Sequence, residues 1–393
     1  MDAPRTHHAP SPAGRDGGWV ARTHDPRPRG ARGSDGPEPT ARPAATDSTD
    51  GMWRPEPFTR RWGRRAITIP VLAVATLLYL AVLPLFLIHG AVVDGRRGRR
   101  QLLARFHLTA VSVLAWHCVG VTALAVWWLV GRARRLPLAR WVDFHRALEA
   151  WWGDRALRIT TRFYNTRYVA EGLDVLAPGP ILVLSRHTST LDTVLPVKLI
   201  GRSPVAMVTR IVQKRELLWD PCVDLIGHRV PRTFIRRGAA QPGAELERIV
   251  RLCDGMDDND AVVIYPEGTR FSPARRAEIL ARLATKAPAE AARAAELVNV
   301  LPIRPVGTLA LLDARPDMDV VFCAHTGLEE ASRLEDLIGG SLLDRTVRVQ
   351  FWRVPRAEVP LDEAARIDWL HGWWRRVDQW VEQHKDRAAI PPN

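Results

Sequence analysis

His187 and Asp192 stand five positions apart in LSRHTSTLDTVLP, directly after a short apolar run. A neutral imidazole can take a proton from an alcohol near pH 7. A carboxylate beside it fixes the ring's tautomer and steadies the imidazolium that forms. The stretch therefore offers a general base without an evident nucleophile. Ser189 lies between the two, but it lacks the G-x-S-x-G elbow that presents a serine hydroxyl at a strand-to-helix turn. A serine nucleophile stays open at this point. The more natural chemistry is a base that activates a hydroxyl of the substrate. Spacing alone decides little, because His89 and Asp94 repeat the H-x4-D pattern at the end of a hydrophobic segment, where catalysis is not expected.

His187 differs from His89 in its company. Four segments follow one another, each near a predicted strand end: Arg186-His187-Thr188-Ser189-Thr190-Leu191-Asp192, then Lys214-Arg215-Glu216-Leu217 with Phe234-Ile235-Arg236-Arg237-Gly238, then Tyr265-Pro266-Glu267-Gly268-Thr269-Arg270, then Val300-Leu301-Pro302-Ile303-Arg304-Pro305-Val306-Gly307. In this order they resemble the glycerophospholipid acyltransferase family, the lysophosphatidic acid acyltransferase-like enzymes. The resemblance covers roughly residues 165–310, with a weaker echo in the closing WLHGWWRRVDQW.

The resemblance implies transfer of an acyl group from a thioester, carried by coenzyme A or acyl carrier protein, to a lysolipid hydroxyl. On that model His187 is the base on the acceptor hydroxyl and Asp192 orients it. The thioester is attacked directly, so alignment and charge stabilisation are the demanding tasks. Arg237 and Arg270 match motif arginines, and an arginine can grip phosphate through two hydrogen bonds. Gly268 would let backbone amides approach an anion, and Thr269 adds a hydroxyl donor. Glu267 would orient Arg270 or Arg237, or bind glycerol hydroxyls. Arg186 departs from the family pattern, which commonly has Asn before the histidine, and would add a cation near the head group. No cofactor or metal is implied, since the acyl donor is a substrate.

The elements that position these residues read as an α/β domain with a mixed, mainly parallel sheet flanked by helices. RYVAE, ILVLS, VAMVTR, AVVIY, VLPIRPVG, MDVVFCAHT and VRVQFWRV read as strands. Residues 141–163, 191–200, 243–254, 274–298 and 362–385 have helical periodicity. The last carries Ile367, Leu370, Trp374, Val377 and Val381 on one face, to pack on the domain or to touch a membrane interface. The acidic run 254–260 reads as a solvated loop.

Two charge-free apolar segments precede the domain, Ala66–Val93 and Leu108–Gly131. Each exceeds the roughly 20 residues that cross a bilayer. Arginines flank them on all three sides, so the positive-inside rule gives no clean orientation. A spanning hairpin and a pair of helices dipping into one leaflet both fit. Residues 1–58 are rich in Pro, Gly and Arg and carry no apolar run. They read as a disordered basic tail rather than a signal peptide. The expected organisation is tail 1–58, two-helix membrane anchor 59–135, and acyltransferase domain 136–393, with that domain on the cytoplasmic face.

The net charge of +13 over 393 residues favours anionic partners. No nucleic-acid module is recognisable, and the apolar segments argue against that partner. Four scattered cysteines support neither a disulfide framework nor a zinc site. The expected partners are a lysophospholipid acceptor, acyl-CoA or acyl carrier protein, and membrane lipids. The acceptor best suited to the motifs is 1-acyl-glycerol 3-phosphate, giving phosphatidic acid. Alternatives are another lysolipid, a glycolipid or glycerol 3-phosphate, or a basic membrane-surface protein without catalysis.

Overall fold

The computed structural model describes residues 19–22, 56–201, 207–236 and 242–385. Two long helices come first, α1 (Phe58–Arg96) and α2 (Leu102–Ala133), antiparallel and packed on each other. Asp94 ends the first and caps the second, its Oδ2 accepting from the Leu103 amide at 2.8 Å. The His89…Asp94 spacing is therefore a helix cap. Helix α3 (Leu138–Tyr164) turns back along α2, and Trp116 stacks on Trp152 with ring centroids 4.5 Å apart.

The sheet has eight strands in the order β1-β2-β8-β7-β3-β6-β4-β5. They are β1 (Trp19–Arg22), β2 (Arg167–Glu171), β3 (Ile181–Ser185), β4 (Val208–Lys214), β5 (Arg232–Ile235), β6 (Asp260–Ile264), β7 (Asp319–Thr326) and β8 (Thr346–Val354). Only the β7–β8 pair is antiparallel. The mixed, mainly parallel sheet matches the expectation. Strand β1 departs from it, because it lies within the stretch read as a disordered tail and pairs parallel with β2. The remainder of 1–55 is outside the described residues.

Helices connect the strands: α4 (Val194–Gly201), α5 (Pro221–Gly227), α6 (Pro242–Val250), α7 (Pro273–Lys286), α8 (Pro288–Ala295), α9 (Pro305–Ala314) and α10 (Leu334–Ile338); the 22-residue α11 (Glu363–His384) follows β8. The periodic stretch 274–298 is two helices, split where Pro288 starts a new one. Both faces of the sheet are covered, so β3 is buried at every position. Ile181 and Val183 pack towards α3 and α4, while Leu182 and Leu184 pack towards α9 and α11.

Three expectations need correction. VLPIRPVG is not a strand: residues 299–304 form a buried loop and Pro305 starts α9. Strand β5 was not apparent from the pattern of RTFI, which is four residues long and opens on a buried arginine, Arg232, paired with Glu149 of α3. The acidic run 254–260 is only partly a solvated loop, since Asp260 is buried at the start of β6, 2.9 Å from Arg210.

Strands β7, β3, β6, β4 and β5 run the same way. Their carboxyl ends share one edge, where parallel α/β sheets bind ligands. His187, Glu267–Arg270, Arg215 and Arg236 all follow strand ends at that edge.

Candidate active site

The loop after β3 folds around one carboxylate. Asp192 Oδ1 lies 2.9 Å from His187 Nδ1. Its other oxygen accepts the amides of Thr188 and of Ser189, the latter at 2.7 Å. Asp192 is fully buried. Burial pushes its carboxyl up, but the hydrogen bond and charge of His187, with His325 and the Ser189 amide, carry it below the ordinary range. It stays ionised and holds the proton of the histidine on Nδ1. That leaves Nε2 as the basic nitrogen, on a side chain 10% exposed. The Tyr265 ring lies 4.6 Å from the imidazole, centroid to centroid. Ser189 is buried, and its Oγ accepts the amides of Leu191 and Asp192. The hydroxyl shapes the turn rather than acting as nucleophile.

The PEGTR loop after β6 clasps this turn. The Phe271 amide donates to the His187 carbonyl at 2.7 Å. Glu267 is buried, and its two oxygens accept the His187 and Leu301 amides, each at 3.2 Å. The expected role of Glu267, orienting an arginine or binding glycerol, is thus corrected. A carboxyl group with both oxygens committed to backbone amides fixes the loop that carries His187.

Gly268 needs a similar correction. It adopts φ +68°, and its amide donates to the Tyr265 carbonyl at 2.9 Å, so that amide is not free for an anion. A Cβ there would meet the Arg304 side chain at 3.1 Å. Arg304, the lone charge of its sequence segment and given no role there, is thus brought beside the PEGTR loop. Thr269 is half-buried beside it. Arg270 donates to Thr190 Oγ1 at 3.1 Å and to the Ser332 carbonyl at 3.3 Å. Among the described residues no carboxylate pairs with Arg270, so its charge faces the His187 loop uncompensated. Arg237 lies outside the described residues.

Arg186 does not reach the opening. It is fully buried, and its guanidinium donates to the Asn299 and His325 carbonyls and to Glu329, at 2.7, 2.6 and 2.5 Å. Every one of its donor nitrogens is used, so it adds no cation for a head group. Its charge helps hold the Glu329 carboxyl at about 2 against the upward push of burial. His325 is a second buried histidine that the sequence did not single out. Its Nε2 lies 2.9 Å from the Arg186 carbonyl and 3.6 Å from Asp192 Oδ2, and burial lowers its basicity.

Away from this edge, His117 of α2 meets Asp220 at 3.0 Å, with Cys222 beside them. The residues are 103 positions apart, so no spacing rule finds them. The contact docks α2 on α5.

Residues 162–308 match the family model described as Acyltransferase. Comparison with the curated proteins gives no match. Among solved structures, the chain is similar to the 1-acyl-sn-glycerophosphate (LPA) acyltransferase PlsC from Thermotoga maritima. The identity is 12% and the TM-score 0.39, covering 68% of this chain and 97% of that one.

Proposed function

We propose that this chain, an acyltransferase by the domain at residues 162–308, moves an acyl group from acyl-CoA or acyl carrier protein to the free hydroxyl of a lysophospholipid. The acceptor in this reading is 1-acyl-glycerol 3-phosphate and the product phosphatidic acid. The observation that carries it is the 2.9 Å bond between His187 Nδ1 and a buried, ionised Asp192, which leaves Nε2 as a base at the sheet's carboxyl edge.

In this mechanism Nε2 takes the acceptor's hydroxyl proton as its oxygen attacks the thioester carbonyl. Asp192 stabilises the imidazolium. The tetrahedral intermediate expels the thiolate, which takes the proton, and the base is restored. Arg270 and Arg237 hold the acceptor's phosphate, supported by the uncompensated charge of Arg270 beside Thr190. The apolar helices α1 and α2 support delivery of the acceptor from a membrane, and in this reading the catalytic domain lies on the cytoplasmic side.

Purified full-length protein in detergent, given acyl-CoA and lysophosphatidic acid, should release CoA thiol. His187→Ala should lower that rate about a hundred- to ten-thousandfold, the range a positioned general base contributes. Undiminished release by His187→Ala would exclude the mechanism. A glycolipid or uncharged acceptor turned over in preference would exclude the phosphate assignment.

A further inference from the structure

The start of α1 and the ends of β4 and β5 enclose a cleft of about 390 Å³ that lies outside the His187 loop. Arg60, Arg64, Arg215 and Arg236 line it, with Glu56 and Trp219 among the other walls. Four guanidinium groups face two carboxylates there, Glu56 and Glu216, and Arg64 is also paired with buried Asp224 at 2.6 Å.

Part of the cleft already grips an oxyanion. One Glu56 oxygen accepts from Arg64 and the other from Arg215, both at 2.7 Å. The Arg64 side chain is 9% exposed, and its Nε is buried without a partner among the described residues. Arg60 and Arg236 are exposed, and among the described residues neither guanidinium pairs with a carboxylate, although Glu245 accepts the Arg236 amide at 3.3 Å. Helix α1 also begins without a capping side chain or an acidic residue in its first turn, yet carries arginines at 60, 61, 64 and 65. Cations at the positive end of a helix dipole repel it, and an anion bound there relieves both. The walls are not only charged: Ile67 and Trp219 are 56% and 62% exposed beside the arginines. The cleft suits a phosphate on a molecule with an apolar part.

Its position suits a substrate. Arg215 and Arg236 follow strands two and three places from β3, which is about 10 and 14 Å along the edge at ordinary strand spacing. A long side chain or a flexible substrate bridges that distance.

We propose that this cleft binds a phosphate of a substrate, and that Arg60 and Arg64 of the anchor helix are part of that site. The anchor is then a wall of the substrate site as well as a tether. This rests on the acyl-transfer reading, which supplies two sources of phosphate: the acceptor's glycerol phosphate and the donor's nucleotide.

The test is equilibrium binding by calorimetry, with the full chain in detergent micelles and lysophosphatidic acid, monoacylglycerol and CoA as probes. The double variant Arg60→Gln, Arg236→Gln should weaken one phosphate-bearing probe at least tenfold. Loss for lysophosphatidic acid but not monoacylglycerol assigns the acceptor; loss for CoA assigns the donor. Arg97→Gln removes a charge from the opposite end of α1 and should change neither. Unaltered affinity of the double variant for both phosphate probes would overturn the proposal, as would an equal loss in Arg97→Gln. The acyl-transfer reading fails separately, through absent turnover in the wild type or retained turnover in His187→Ala, and binding is measured without turnover.

Discussion

Glu267 is a carboxyl group set where a carboxylate is costly. Burial pushes it up to about 8, against the pull of Arg186 and of the two amides it accepts. A folded value above the ordinary 4.5 means that its contribution to stability is full below about pH 4.5. It is lost as pH rises towards 8, where the buried group must ionise. Asp192 and Glu329, both lowered, act on the other side: their contributions are lost on acidification. Thermal unfolding in micelles should therefore show a midpoint falling between about pH 5 and 8. Glu267→Gln should flatten that slope. It should also cost about 1–3 kcal/mol at pH 5, because the Gln amide group faces a backbone N–H and leaves it unpaired. A wild-type slope that persists in Glu267→Gln would show that another group titrates. Turnover should fall with it, since the His187 amide is one of the two bonds lost or strained.

Helix α11 reaches the site through a loop rather than by contact. Asp378 Oδ1 accepts three successive amides, Val298, Asn299 and Val300, at 3.0, 2.6 and 3.1 Å, and Trp374 Nε1 donates to the Leu301 carbonyl at 3.0 Å. The loop so fixed gives its Asn299 carbonyl to Arg186 and its Leu301 amide to Glu267. Asp378→Ala leaves several buried amides unpaired and should cost at least about 2 kcal/mol, with turnover falling as the loop loosens. Asp378→Asn keeps Oδ1 as acceptor and should restore most of both. Denaturant unfolding and thiol release on the three proteins decide it; an Ala variant as stable as the wild type would remove α11 from the support of the site. These contacts also explain what the sequence could not show. Strands β3 and β6 and helices α3 and α11 were legible because apolar spacing reports burial of a regular element. The Val300, Leu301 and Ile303 side chains are buried too, so the same signal reads as a strand. Pro302 and Pro305 lack the amides a central strand needs, and side chains from distant elements pair the amides that remain. Arg186 misled for a like reason: its partners are 113 to 143 residues away. The family resemblance singled out the H-x4-D pair, whereas the actual partners of Glu267 and Gly268 became legible only with the fold.

Helices α1 and α2 are tied to the sheet domain at several points. Arg64 and Arg65 converge on buried Asp224 at 2.6 and 2.7 Å, Arg229 donates to the Leu124 carbonyl at 3.1 Å, and Trp127 stacks on Phe144 at 4.2 Å. Helix α2 spends one flank on α3, whereas α1 packs on α2 and leaves a long apolar flank open. Val71, Leu78, Leu85 and Ile88 are 60–67% exposed on it. At 39 residues α1 is about 58 Å long, more than a hydrocarbon core of about 30 Å requires. Such a surface is stable against lipid and not against water. With these contacts in place, the depth α1 would take in a bilayer would also set the height of the basic edge above it. Leu78 and Leu85 are seven residues apart, two turns along one face. Leu78→Glu with Leu85→Glu touches no core residue but puts two charges on the exposed apolar flank, where an acidic charge placed in lipid costs on the order of 2.5–3.5 kcal/mol. The double variant should move from the membrane to the soluble fraction on vesicle sedimentation. It should keep turnover of a short-chain acceptor dissolved in water and lose turnover of a long-chain acceptor held in vesicles. Loss of both activities together would mean that the anchor is needed for the fold itself, and continued sedimentation with vesicles would mean that this flank is not what holds the protein there.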